Sequence, residues 1–139
     1  MKDAINVKWT GDMAFEALVD EHRMVMDSRP EYGGQNKGPR PKPLLMVSLA
    51  GCTGMDVISI LKKMKVEVTG FHIRVVGDLT EEHPKRYTAL KIIYEFSGID
   101  LPADKLKRAV ELSLEKYCGV SATLKNSCEI TYEIKNYEL

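Results

Sequence analysis

Pro43-Leu44-Leu45-Met46-Val47-Ser48-Leu49-Ala50-Gly51-Cys52-Thr53-Gly54-Met55-Asp56-Val57-Ile58-Ser59-Ile60-Leu61 is the stretch on which the fold turns. It is apolar along nearly all its length, too long for a strand, and bounded by a proline and by Lys62-Lys63, so it reads as a helix. No polar face emerges between Leu44 and Leu61, and a helix that is apolar all round is usually buried all round. A chain of 139 residues has little else to cover it with, which points to a homodimer built around this helix. Ser48, Gly51, Thr53, Gly54 and Asp56 interrupt the run and make it a poor membrane span. Gly51 and Gly54 flank Cys52, where they permit either a bend or fresh helix start at the thiol, or close packing against another element.

Upstream, Asn6-Val7-Lys8-Trp9 alternates, and Met13, Phe15, Ala17 and Val19 share one side of the next run, predicting two strands joined near Thr10-Gly11. Met24 and Met26 continue the pattern in a third. From Ser28 to Pro43 the chain carries Pro30, Pro39, Pro41 and Pro43 together with Gly33, Gly34 and Gly38, which dictates a loop. Downstream, Phe71, Ile73 and Val75 alternate, as do Leu90, Ile92, Tyr94 and Phe96, around a polar turn from Gly77-Asp78 to Arg86. Pro102 and Asp104 suit the start of a helix, whose apolar face carries Leu106, Ala109, Val110, Ser113, Leu114 and Tyr117. Cys128, Ile130, Tyr132 and Ile134 share one face of a last strand. The order of elements predicts an α+β chain rather than a doubly wound one.

Lys+Arg 20 against Asp+Glu 20 gives a formal net charge of zero, which offers no electrostatic footprint for nucleic acid or an anionic membrane. The N-terminus lacks the apolar core of a secretory signal, so the expected location is the cytoplasm. Three cysteines without a C-x-x-C spacing fit neither a disulfide framework nor a zinc site, leaving structural thiols or a redox pair plus one spare. No metal and no cofactor are expected.

Cys52 and Cys118 are the candidate site residues. Both are open to a plain structural reading, because free cysteine is commonly a small buried hydrophobe. A reactive cysteine needs its thiolate stabilised by a cation, by hydrogen bonds or by a helix N-terminus. Cys118, just before Gly119 at the end of the second helix, is expected at the negative end of that helix and therefore to resolve rather than attack. Cys128, on the inward face of the last strand, reads as a core residue. His22 and His72 lack ligand-like spacing, and His83 lies beside Glu82 in a charged turn, either solvated or lining a site rim.

Several of these residues fall into a known pattern. Gly38-Pro39-Arg40-Pro41, Leu44-Leu45, Gly51-Cys52-Thr53-Gly54-Met55-Asp56-Val57 and Ile60-Leu61-Lys62-Lys63 resemble the signature of the OsmC/Ohr family of thiol peroxidases. Glu82-His83-Pro84 and Tyr117-Cys118-Gly119-Val120-Ser121-Ala122-Thr123-Leu124, the second-cysteine motif, follow in order. The resemblance implies a single OsmC-like domain over residues 1–139, with an antiparallel sheet wrapped around a long buried central helix, and an intertwined homodimer. It further implies an oxidoreductase of oxidative stress, in which an organic hydroperoxide oxidises Cys52 and Cys118 resolves it as a disulfide. An external dithiol such as a lipoyl group then restores the thiols. The chain departs from the family at the Glu and Arg that stabilise the thiolate: position 43 is Pro43, and no arginine lies around Ala14-Phe15-Glu16. Arg23, Arg29, Arg40 and Arg86 are the available substitutes. The departure leaves a second reading, a non-catalytic scaffold that binds a hydrophobic ligand or senses redox state.

Overall fold

Two runs of alternating residues open the chain and meet their partners at once. In the computed structural model, which describes residues 1–138, β1 (Asn6–Gly11), β2 (Ala14–Val19) and β3 (His22–Met26) form an antiparallel three-stranded sheet in the order β1-β2-β3. Val19 pairs with His22, so the β2–β3 loop is only Asp20-Glu21, both at positive φ (48° and 67°). That is the geometry of the mirror-image turn whose twist matches the strands. Ala14 and Ala17 are the buried residues of β2, whereas Phe15 is 41% exposed in the single chain.

The proline-rich segment that follows is a loop, as its composition dictates, but an ordered one. Asp27 is buried, and its carboxylate accepts the N–H groups of Ser28 (2.7 Å), Gln35 (3.1 Å) and Lys37 (3.1 Å). Gly34 and Gly38 lie against the Ser28 and Val25 carbonyls so tightly that a Cβ at either position would collide with backbone. Arg40 closes the loop on itself through the Gly38 carbonyl (3.2 Å) and the Asn36 side chain (2.7 Å).

The chain divides into two compact units, Met1–Leu45 and Met46–Leu139. The second is organised by α1 (Leu44–Lys63), β4 (Gly70–Leu79), β5 (Tyr87–Gly98), α2 (Ala103–Leu112), α3 (Gly119–Leu124) and β6 (Glu129–Glu138). β5 is the central strand of a sheet in the order β4-β5-β6. β4 and β5 are antiparallel, from Gly70↔Ser97 to Leu79↔Tyr87. β5 and β6 are parallel, because the helical segment between them crosses over before the chain returns. The second sheet is therefore mixed, one pairing departing from the expected antiparallel pattern.

Alternation along β5 sends Leu90, Ile92, Tyr94 and Phe96 into the core, where Leu49, Val57, Leu61, Leu106, Ala109 and Val110 meet them. Phe71 stacks on Phe96 at 4.6 Å between ring centroids. α1 is continuous through Cys52, with no fresh helix start at its glycines. Gly54 instead admits the Ile73 side chain of β4, whose Cδ1 would lie 2.9 Å from an added Cβ.

Within the single chain α1 buries one stripe, Leu49, Thr53, Val57 and Leu61, spaced four residues apart. Full burial of each aliphatic member of that stripe contributes on the order of 1.5–3 kcal/mol. Val47 and Met55 remain 60% and 77% exposed in the single chain. By length and composition α1 could cross a membrane, with mean hydropathy 1.9. The stripe and the bonds made by Thr53 commit it instead to the core of this fold.

Candidate functional site

Cys52 and Asp56 are one helical turn apart on α1 and so face the same way. Cys118 comes to them from the far end of the α2 region. There the helix changes register: residues Ser113–Tyr117 form a π-helical turn, closed by the Cys118 N–H donating to the Ser113 carbonyl at 2.7 Å. Such a turn inserts an extra residue per repeat and is frequent at functional sites. It brings Ser113 fully inside while Tyr117, expected on the same apolar face, turns out to 53% exposure.

The result is a group of three: the Cys52 and Cys118 sulfurs and an Asp56 carboxylate oxygen all lie within 4.8 Å of one another. Cys52 is half-buried, whereas Cys118 is 3% exposed. Both are free thiols. Cys128 stands apart, buried in the core with its thiol directed at the Leu124 carbonyl (3.5 Å).

Cys118 stands at the end of a helical segment, as expected, but it also begins the next one. Cys118 both ends the π-helical turn and caps the N-terminus of α3, where its Sγ accepts the Ser121 N–H at 3.4 Å and its carbonyl accepts the Ser121 hydroxyl at 3.0 Å. Burial nonetheless pushes the Cys118 thiol up, Ser121 works against that through its N–H and side chain, and neighbouring Cys52 raises it further. Desolvation is the largest of the effects that disfavour the Cys118 thiolate.

Beneath the thiols runs a chain of hydroxyls that sequence reasoning missed. The Tyr94 hydroxyl lies 2.8 Å from Thr53 Oγ1, Thr53 lies 2.7 Å from Ser113 Oγ, and Ser113 donates to Asp56 Oδ2 at 2.9 Å. An ionised carboxylate only accepts, so Ser113 spends its proton on Asp56, accepts from Thr53, and Thr53 accepts from Tyr94. Every donor points toward Asp56, and aligned bonds of this kind polarise one another. Burial raises the Tyr94 pKa, only partly offset by the Thr53 bond. The available signal was a small polar residue in each of two otherwise apolar stripes, Thr53 in α1 and Ser113 after α2.

Asp56 also lines a cavity of about 360 Å³ together with Ser59, Ile60, Lys63, Met64, Leu112 and Tyr117. A separate open groove of about 600 Å³ runs along Val47, Gly51, Met55, Phe71 and Ile73. Of the four arginines considered as substitutes, Arg23 pairs with Glu16 at 3.6 Å on the first sheet, and Arg40 is engaged in its own loop. Arg86 points at the Ser127 carbonyl (3.5 Å), and Arg29 is exposed. His83 is exposed in the turn between β4 and β5.

An α+β fold with a long core helix carrying one thiol beside a second, deeper thiol defines a thiol-bearing class of protein. The OsmC-like protein family model matches residues 34–133, and the chain belongs to that family. It is 31% identical to Protein YhfA of Escherichia coli K12 over 127 residues, covering 91% of this chain and 92% of that one. A hypothetical protein from Aquifex aeolicus VF5 superposes with a TM-score of 0.87 at 30% identity, covering 100% of this chain and 98% of the other. The organic hydroperoxide resistance protein OhrB of Bacillus subtilis shares the fold, with a TM-score of 0.67 at 17% identity over 97% and 98% of the two chains.

Proposed function

We propose that this chain, as one OsmC-like domain, is a cytoplasmic thiol peroxidase that reduces organic hydroperoxides, with Cys52 attacking and Cys118 resolving. The observation that carries the reading is the pair itself: two free thiols, with an Asp56 oxygen, within 4.8 Å, one half-exposed and one buried beneath it. Peroxide arriving from solvent meets Cys52 first. The Cys52 thiolate attacks the distal peroxide oxygen, the O–O bond breaks, and the alcohol leaves with a proton while Cys52 becomes a sulfenic acid. Cys118 then displaces water from that sulfenic acid, forming the S–S bond. An external dithiol returns both thiols, itself becoming a disulfide.

Disulfide formation requires the sulfurs, already within 4.8 Å of each other, to close to about 2.05 Å. Ile60, Met64 and Leu112 in the cavity beside Asp56 offer an alkyl chain apolar contact, next to the charged Asp56 and Lys63. A homodimer is supported by the exposed apolar edge of α1 at Val47 and Met55.

The test is cumene hydroperoxide consumption with a dithiol reductant, read beside intact mass. Cys52→Ser should abolish turnover. Cys118→Ser should react once, stall as the sulfenic acid and proceed to the sulfinic acid under excess peroxide. Normal turnover by Cys118→Ser would remove it as resolver. A parent protein that consumes no peroxide above background would leave the ligand-binding reading in place.

A further inference from the structure

Linear spacing gave no zinc signature, yet folding assembles a donor set that does not depend on peroxidase chemistry. We propose that Cys52, Asp56 and Cys118 form a binding site for a single zinc-class divalent cation, with two thiolates and one carboxylate as ligands and a fourth position open to water. Zinc takes sulfur ligands at about 2.3 Å and carboxylate oxygen at about 2.0–2.2 Å in tetrahedral sites, which sets neighbouring donor atoms roughly 3.5–3.8 Å apart. The three donors already lie within 4.8 Å of one another, so side-chain adjustments of about an ångström complete the site.

The surroundings orient the ligands as a metal site requires. Ser113 donates to Asp56 Oδ2 at 2.9 Å, fixing the carboxylate while leaving it acceptor capacity, and Ser113 is itself fixed by Thr53. The Ser121 N–H at 3.4 Å steadies the Cys118 sulfur. Cys52 and Asp56 come from one rigid helix, four residues apart, the spacing that puts two ligands on one face. Entry is provided by the half-exposed Cys52 and by the cavity that Asp56 lines. A soft sulfur pair selects zinc-class ions over magnesium or calcium, which prefer all-oxygen sites.

Binding displaces the thiol protons into solvent and involves no electron transfer: one cation replaces one proton on each cysteine. The site shares both cysteines with the proposed peroxidase but rests on their geometry, so it stands whether or not the protein turns over hydroperoxide. Where both hold, a bound cation ties up the attacking sulfur. Oxidation of the pair to the disulfide by a hydroperoxide, with two protons taken up to form alcohol and water, ejects the cation.

The experiment uses the fully reduced protein under anaerobic conditions, titrated with Co²⁺ as a spectroscopic probe and then with Zn²⁺. The parent should take up one Co²⁺ per chain, with sulfur-to-cobalt charge-transfer bands and tetrahedral d–d bands, all displaced by Zn²⁺. Cys128→Ser should match the parent. Cys52→Ser and Cys118→Ser should each lose about half the charge-transfer intensity, and Asp56→Asn should keep it while weakening affinity at least about tenfold. Ser113→Ala, with far-UV circular dichroism confirming its fold, should weaken binding about 10-fold without changing the thiolate count. Absence of charge-transfer bands in the parent, or equal affinity in Asp56→Asn, would overturn the site. Peroxide turnover is measured separately, so loss of either property leaves the other readable.

Discussion

Replacing Thr53 by valine removes one hydroxyl from the centre of the molecule and changes almost nothing else, since the two side chains are nearly the same shape. Thr53 has no exposure to solvent, and its Oγ1 stands between Tyr94 at 2.8 Å and Ser113 at 2.7 Å. In Thr53→Val the Tyr94 hydroxyl loses its acceptor in a place water does not reach, at about 1–3 kcal/mol for an unsatisfied buried group. Ser113 keeps its bond to Asp56 and loses only the donation from Thr53, at about 0.5–1.5 kcal/mol. The variant should therefore be destabilised by about 2–4 kcal/mol. For a domain of this size, that lowers Tm by roughly 6–15 °C. Urea and thermal unfolding followed by circular dichroism, at one fixed protein concentration, reads it directly.

Tyr94→Phe supplies the control, because it deletes the stranded hydroxyl. The double variant should be more stable than the sum of the two single losses by about 1–2 kcal/mol, the signature of groups that share a bond. A Thr53→Val protein within about 0.5 kcal/mol of the parent, or strictly additive double-mutant energies, would refute the proton order assigned to the chain of hydroxyls.

Asp27 predicts an acid-sensitive loop. The Lys37 N–H, with those of Ser28 and Gln35, holds its carboxyl below the usual range against the opposing effect of burial. Its contribution is therefore fully present above the unfolded pKa of about 3.9 and is lost as pH falls through the lower folded value. Hydrogen exchange at residues 28–38 should accelerate in that acid window, and Asp27→Asn should show the faster exchange at neutral pH with no further acid step. On α1 the two faces should respond oppositely to mutation. Leu49→Ala, on the buried stripe, should cost about 2–5 kcal/mol. Met55→Glu should cost an isolated chain less than about 0.5 kcal/mol, yet dissociate a homodimer packed on that face, measured by light scattering and by concentration-dependent unfolding. Light scattering that shows a micromolar monomer in the parent would remove the dimer.

Most of the strand pattern was legible because a half-buried strand records its buried side every second residue. Leu90, Ile92, Tyr94 and Phe96 alternate in sequence and are all buried. The parallel pairing of β6 was not legible, since alternation reports which face is buried and carries nothing about the direction of the neighbouring strand. Glycine positions were ambiguous for a related reason. Gly51 and Gly54 permit a break in a helix, but whether the helix breaks depends on what packs there, and Ile73 of β4 sits against Gly54 in an unbroken α1. The π-helical turn at Ser113–Tyr117 was equally silent, because the apolar spacing through Leu114 and Tyr117 fits a regular helix until Cys118 is drawn into the core.

By itself the sequence determined that the chain is α+β, that a long apolar helix runs from Leu44 to about Leu61 through Cys52, and that the motifs around both cysteines are those of the OsmC-like family. Each of these is a local property, written in periodicity, in breakers and in short motifs. Only the tertiary structure decided that Asp56 stands beside both thiols and that Tyr94, Thr53 and Ser113 point their hydroxyls toward it. It also decided that Cys118 is buried, which disfavours its thiolate. Hydrogen bonds between elements 41 to 60 residues apart depend on which faces meet, and that is fixed by packing of the whole core.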